Sequence, residues 1–180
     1  MEFVAPPDAE GGLGRRGGRC HWPILTLAGA SKLCGFISNC GLNKINFAAM
    51  TSPATYIHRR RVEFADTDAA GVAHFSRLLA MVEEAEHGFF RERKIPILTA
   101  ASAWPVVKTE VDFAGTCRFG DEIEILLGDF QPGKSSLVYA FEAQISGRRV
   151  FSGKMTKCHI SPATGRAEEI PAEVLEKIRE

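Results

Sequence analysis

The residues with the clearest chemical potential lie in one short stretch, Phe64-Ala65-Asp66-Thr67-Asp68-Ala69-Ala70-Gly71-Val72-Ala73-His74-Phe75. It places two acids and a glycine where an alternating segment gives way to an amphipathic one. A calcium loop begins in the same way, as DxDxxG, but its fifth position would be Ala70 and its twelfth Arg77, so the bidentate carboxylate is missing. A phosphoryl-transfer DxDx(T/V) loop would need Thr or Val at position 70, where alanine stands. Acyl transfer suits the stretch better. A helix N-terminus offers unpaired N–H groups and a partial positive charge that polarise a carbonyl oxygen. A carboxylate just upstream can attack the carbonyl carbon or activate a water. The chain has no GxSxG elbow and no recognisable cysteine signature, so an acid is the natural working group for ester or thioester hydrolysis. The plainer alternative, that Asp66 and Asp68 only cap the helix or close an Asx-turn, stays open from the residues alone.

The flanking elements must position this loop. Residues 57–64 alternate as a strand, with Val62 and Phe64 on one face and Arg61 and Glu63 on the other. From Phe75 to about Arg93, Leu78, Val82, Ala85 and Phe89 step by four, three and four, the signature of one apolar helix face, and Pro96 ends it. Alternation then returns around Val107–Phe113, Ile123–Leu127, Leu137–Ile145 and Arg148–Ile160, with tight turns at 115–120, 131–134 and 146–147. A short helix follows Pro171. One long helix and four closely linked strands predict an α+β fold, an antiparallel sheet wrapped around one long central helix. The order of elements is not a βαβ alternation, which argues against a doubly wound parallel sheet.

Composition narrows the class. The 180 residues carry 22 Lys+Arg against 22 Asp+Glu, with a pI near 7.0. This argues against a nucleic-acid module, which needs a basic face. Arg59-Arg60-Arg61 is too short for such a patch, and strand alternation sets Arg60 on the face opposite its neighbours. No run of about 18 apolar residues predicts a membrane span. The five cysteines are odd in number and never spaced as CxxC, so no disulfide framework or metal site is expected, and Cys117 and Cys158 read as small packing residues.

The neutral total hides a division. Before Met50 the acids are Glu2, Asp8 and Glu10, the bases Arg15, Arg16, Arg19, Lys32 and Lys44, and eight of the 17 glycines fall there. Residues 1–49 therefore read as an extension outside the folded domain, which occupies 50–180. Three explanations are open: a mis-assigned start with Met50 as initiator, a targeting peptide with Ala28-Gly29-Ala30 near its cleavage point, or a tail with its own role. Gly12-Leu13-Gly14-Arg15-Arg16-Gly17 fits GxGxxG, but the preceding 5–10 cannot form a buried strand, so it reads as glycine-rich coil.

The stretch Val62–Val72, the helix carrying Glu83-Glu84-Ala85, Trp104–Phe113, Arg118-Phe119-Gly120-Asp121-Glu122-Ile123 and Gly133-Lys134-Ser135-Ser136-Leu137 together resemble the 4-hydroxybenzoyl-CoA thioesterase family of hotdog-fold enzymes. The pattern is most like the 1,4-dihydroxy-2-naphthoyl-CoA thioesterases of cyanobacterial type and the YbgC-like acyl-CoA thioesterases. It runs from about Tyr56 to Glu169. The resemblance implies a hotdog fold and hydrolysis of an aromatic or short-chain acyl-CoA. Asp68 would be nucleophile or general base, the Phe75 N–H would bind the thioester oxygen, and Gly71 would permit the turn between them. Asp66 would support the loop. Lys134 and Ser135 match positions that meet CoA phosphates, often across a subunit boundary. It implies a homodimer or homotetramer in the cytoplasm, acyl-CoA as partner, and no cofactor, since CoA belongs to the substrate.

His74 stands where relatives carry Tyr or Trp, and Pro132 and Gly133 replace arginines that precede the matching lysine. His74 is a candidate pocket donor. Glu83, Glu84 and Glu86, with Glu92, read as the exposed face of the helix. Two other functions compete: a hotdog protein that binds acyl thioesters without turnover, and a hotdog dehydratase, for which His87 is the one histidine inside the expected helix.

Overall fold

The computed structural model describes residues 50–179. The extension 1–49, with the Gly12–Gly17 motif and the candidate cleavage point, lies outside the described residues. The elements run β1 (Tyr56–Arg61), a 3-10 turn (Phe64–Asp66), α1 (Phe75–Glu92), β2 (Val106–Phe113), β3 (Glu122–Pro132), β4 (Ser136–Ile145), β5 (Arg148–Cys158) and α2 (Ala172–Arg179). Five strands form one antiparallel sheet in the order β1-β3-β4-β5-β2. The long helix lies on its inner face, which is the expected α+β layout.

The stripe anticipated on α1 is the buried one: Leu78, Met81, Val82, Ala85, Phe89 and Phe90 are all at most 4% exposed. They meet Ile123, Ile125 and Leu127 of β3, Leu137, Tyr139 and Phe141 of β4, and Phe151 and Met155 of β5. Each large side chain removed from water here contributes about 1.5–3 kcal/mol before conformational entropy is subtracted. Phe130 stacks on Phe89 with ring centroids 4.3 Å apart, tying the helix's C-terminal half to the end of β3. Gly88 lets the helix approach β1 closely, because a Cβ there would run into the Tyr56 ring.

Three readings of the sequence are corrected. The first strand ends at Arg61, and Phe64 is 79% exposed in the 3-10 turn, not facing the core. The cause is local: the Asp66 carboxylate accepts from the Glu63 N–H at 2.9 Å and curls the chain before alternation can continue. β3 runs five residues past Leu127, through an irregularity between Gly128 and Gln131 where Asp129 adopts φ 49. Glu86 is fully buried, so the acids of α1 do not share one exposed face. Cys117 is buried as expected, and burial pushes its thiol up to about 11, whereas Cys158 is only partly buried.

Candidate active site

The loop between β1 and α1 closes on itself as a small hairpin. Thr67 bridges Ala73, the Asp68 N–H donates to the Val72 carbonyl at 2.9 Å, and the Gly71 N–H donates to the Asp68 carbonyl at 2.9 Å. One residue further out, the His74 N–H donates to the Asp66 carbonyl at 2.8 Å. The stem of the acidic loop is thereby fastened to the residue that opens the helix. Gly71 sits at φ +71 at the turn, the left-handed region where a side chain is strained.

The two acids occupy opposite environments. Asp66 is 0% exposed, and its carboxylate accepts from Arg60 at 2.7 Å, from Arg77 at 3.0 Å and from the Glu63 backbone. Burial pushes this carboxyl up, but the Glu63 N–H and the Arg77 and Arg60 guanidiniums outweigh it and hold it below the ordinary carboxylate range. Arg60 also forks onto Glu84 of the helix at 2.7 and 2.9 Å. Strand, loop and helix therefore meet at Asp66. Sequence reasoning placed Arg60 on the correct face but missed both arginines as its partners, since their approach depends on how α1 crosses β1.

Asp68 is exposed. One of its carboxylate oxygens accepts from the Ala70 N–H at 2.8 Å in an Asx-turn, and the described residues supply no ion pair for it. The group is held in place while its remaining lone pairs face outward. At the helix start, His74 is the N-cap: Nδ1 lies 2.8 Å from the Ser76 hydroxyl and accepts weakly from the Ser76 N–H at 3.4 Å. The Arg77 and Leu78 N–H groups donate to the His74 carbonyl. The Phe75 N–H is left, donating to no group among the described residues, at the positive end of an 18-residue helix. The structure therefore gives His74 a capping role that its sequence context did not suggest, although Ser/Thr/Asp/Asn are the usual caps.

A cleft of about 280 Å³ begins beside this helix start. Ser76, Leu79, Ala80 and Glu83 of α1 form one wall, and Val106 and Thr109 of β2 with Met155 of β5 form the other. Lys134 and Ser135 are not brought to it. They follow β3, whose other end, Glu122, pairs with Arg61 next to the acidic loop. The length of β3 therefore separates them from the acidic loop in one protomer. Among the described residues no cluster of three or more His, Cys, Asp or Glu side chains is gathered for a metal, and no helix is long and apolar enough to cross a membrane.

The family model described as "Thioesterase-like superfamily" matches residues 62–178. The 1,4-dihydroxy-2-naphthoyl-CoA hydrolase of Nostoc punctiforme is 25% identical over 126 residues, spanning 68% of this chain and 85% of that protein. The protein of the same description from Synechococcus elongatus is 35% identical over 85 residues, which are 41% of this chain and 58% of its own length. Among solved structures, a 1,4-dihydroxy-2-naphthoyl-CoA thioesterase from Synechocystis superposes with a TM-score of 0.65 at 22% identity, covering 69% of this chain and 96% of that one. With the matched region spanning the acidic loop, the helix and all five strands but β1, the chain belongs to the thioesterase-like superfamily and carries its hotdog fold.

Proposed function

We propose that the protein hydrolyses the thioester of an acyl-CoA to the free acid and CoA, with Asp68 as the working carboxylate. The observation that carries this reading is the pairing of an exposed, pinned Asp68 carboxylate with an unengaged Phe75 N–H at the opening of the same loop-to-helix junction. The thioester oxygen accepts from the Phe75 N–H, which stabilises the negative charge that develops there. Asp68 then acts in one of two ways. As nucleophile, it bonds to the carbonyl carbon and expels CoA thiolate, and water cleaves the resulting anhydride. As base, it takes a proton from water, and the hydroxide expels the same thiolate. Thiolate is a good leaving group, so neither route calls for a cofactor, and CoA enters only as part of the substrate. Gly71 shapes the turn, and His74 caps the helix that presents the oxyanion donor.

The cleft favours a compact acyl group, aromatic or short-chain aliphatic: Leu79, Ala80, Val106 and Met155 offer apolar contact, and Ser76, Thr109 and Glu83 a few polar ones. The naphthoyl-CoA relatives support the aromatic choice. The working unit in this reading is a homodimer or homotetramer in the cytoplasm. Lys134 and Ser135 follow the end of β3 opposite their own acidic loop, and in this reading they grip the phosphates for a second copy. Val106 and Val107, on the edge strand β2, are 44% and 60% exposed and suit a covered interface.

The test is thiol release followed by absorbance with butanoyl-, octanoyl-, benzoyl- and 4-hydroxybenzoyl-CoA. Release from at least one supports hydrolysis. Tight binding with release from none would favour the non-catalytic acyl-thioester-binding reading.

A further inference from the structure

The acids of α1 are not equivalent, and the buried one is not alone. Glu86 is 0% exposed at its side chain, and Lys157 of β5 is 3% exposed. The Lys157 ammonium donates to Glu86 Oε1, and the Tyr139 hydroxyl of β4 donates to Glu86 Oε2 at 2.8 Å. Burying two opposite charges costs several kilocalories in desolvation, and well-packed apolar side chains would hold a helix to a sheet at least as well. A buried cluster of this kind calls for a reason beyond stability.

Its place in the fold supplies one. The cleft is lined on α1 as far as Glu83, and Glu86 stands one turn further along. On β5 the cleft reaches Met155, and Lys157 is the next residue on that face. On β2 it reaches Val106, whose partner across the ladder is Lys157 itself. Tyr139 pairs with Met155 from the other side. Each wall therefore runs into the same charged cluster as it leaves the helix start.

We propose that Glu86, Lys157 and Tyr139 form a polar stop at the inner end of the acyl cleft and set the longest acyl group it accepts. The inference rests on the thioesterase reading of the cleft. An alkyl chain pressed past Glu83 would meet charges it cannot solvate and would have to separate groups that satisfy one another. From Ser76 to Glu83 the helix rises about 10.5 Å. That is the reach of about eight carbons at roughly 1.25 Å of advance each. Groups up to octanoyl, or one aromatic ring system, fit; hexadecanoyl does not.

Binding of non-hydrolysable thioether analogues, octyl-CoA and hexadecyl-CoA, tests this by calorimetry without depending on turnover. The wild-type protein is expected to bind the octyl analogue at least about tenfold more tightly than the hexadecyl one. Equal or tighter hexadecyl binding would overturn the proposal. The triple variant E86L/Y139F/K157M removes every polar member together, so no charge is stranded, and its fold is checked by its thermal melt. It is expected to shrink the preference to about threefold or less; an unchanged preference in the folded variant would also overturn the stop. Should the variant fail to fold, the wild-type pair of measurements decides alone. Octanoyl-CoA turnover is read separately: its absence would count against hydrolysis and leave the length preference standing.

Discussion

Asp66 and Asp68 stand two residues apart in one loop, yet the carboxylate of the first is sealed between Arg60 and Arg77 while that of the second faces solvent and accepts only from the Ala70 N–H. The hairpin from Thr67 to Ala73 produces the division, turning one carboxylate toward the strand–helix junction and leaving the other at the rim. Position within the turn separates a supporting acid from a working one of the same type.

Asp66→Asn should destabilise the domain by about 2–4 kcal/mol at neutral pH, because two guanidiniums lose their charged acceptor beneath a buried side chain. The folded carboxyl lies below its unfolded value of about 3.9. Its contribution is therefore present above that value and is lost as pH falls through the folded one. Denaturant midpoints measured from pH 7 to pH 3 should fall less steeply in the variant than in the wild type. Equal stability at pH 7 would contradict the role given to Asp66.

Gly71→Ala isolates backbone strain, since a Cβ at this position meets nothing within 4 Å and only the φ of +71 opposes it. The expected cost is about 1–2 kcal/mol, with a fall of a few degrees in melting temperature. Gly71→Asn should cost less, because asparagine tolerates the left-handed region. A melting temperature unchanged in the alanine variant would show that the turn relaxes freely.

The separation of Lys134 from Asp68 in one protomer gives a mixing experiment. Lys134→Glu should raise KM for an acyl-CoA about tenfold by repelling the phosphates. Co-expressed with Asp68→Asn, it forms mixed dimers in which one site joins an intact Asp68 to an intact Lys134. Turnover at limiting substrate should recover to about a quarter of the wild-type value. No recovery in mixed dimers that do form, verified by mass, would argue against a shared site.

Much of the frame was visible in the order of residues. The stripe Leu78, Val82, Ala85 and Phe89 and the alternation of Leu137, Tyr139, Phe141 and Ala143 are local periodicities, and each corresponds to a buried face. The sheet order was not legible, because alternation states which face is buried but not which strand lies beside which. Phe64 was read as continuing the first strand on the face of Val62, whereas a carboxylate two positions on pulls the chain into a turn. Glu86 was read as solvated for a similar reason: its two partners, Tyr139 and Lys157, are 53 and 71 residues away. In the site, the acidic loop and the helix start are contiguous in the chain and could be read. The Arg60–Asp66–Arg77 contacts and the cleft wall at Val106, Thr109 and Met155 arise from packing between distant segments.

The most direct test of the account is the turnover of Asp68→Asn at saturating acyl-CoA, using the best substrate of the thiol-release panel. Asparagine preserves the shape and can keep the Ala70 contact through its carbonyl oxygen, but it is neither a nucleophile nor a base here. The account predicts a fall in kcat of about 10²–10⁴-fold with KM little changed, and a much smaller fall for Asp66→Asn measured under folded conditions. Near-native kcat in Asp68→Asn, with Asp66→Asn inactive though folded, would contradict the assignment of the two acids.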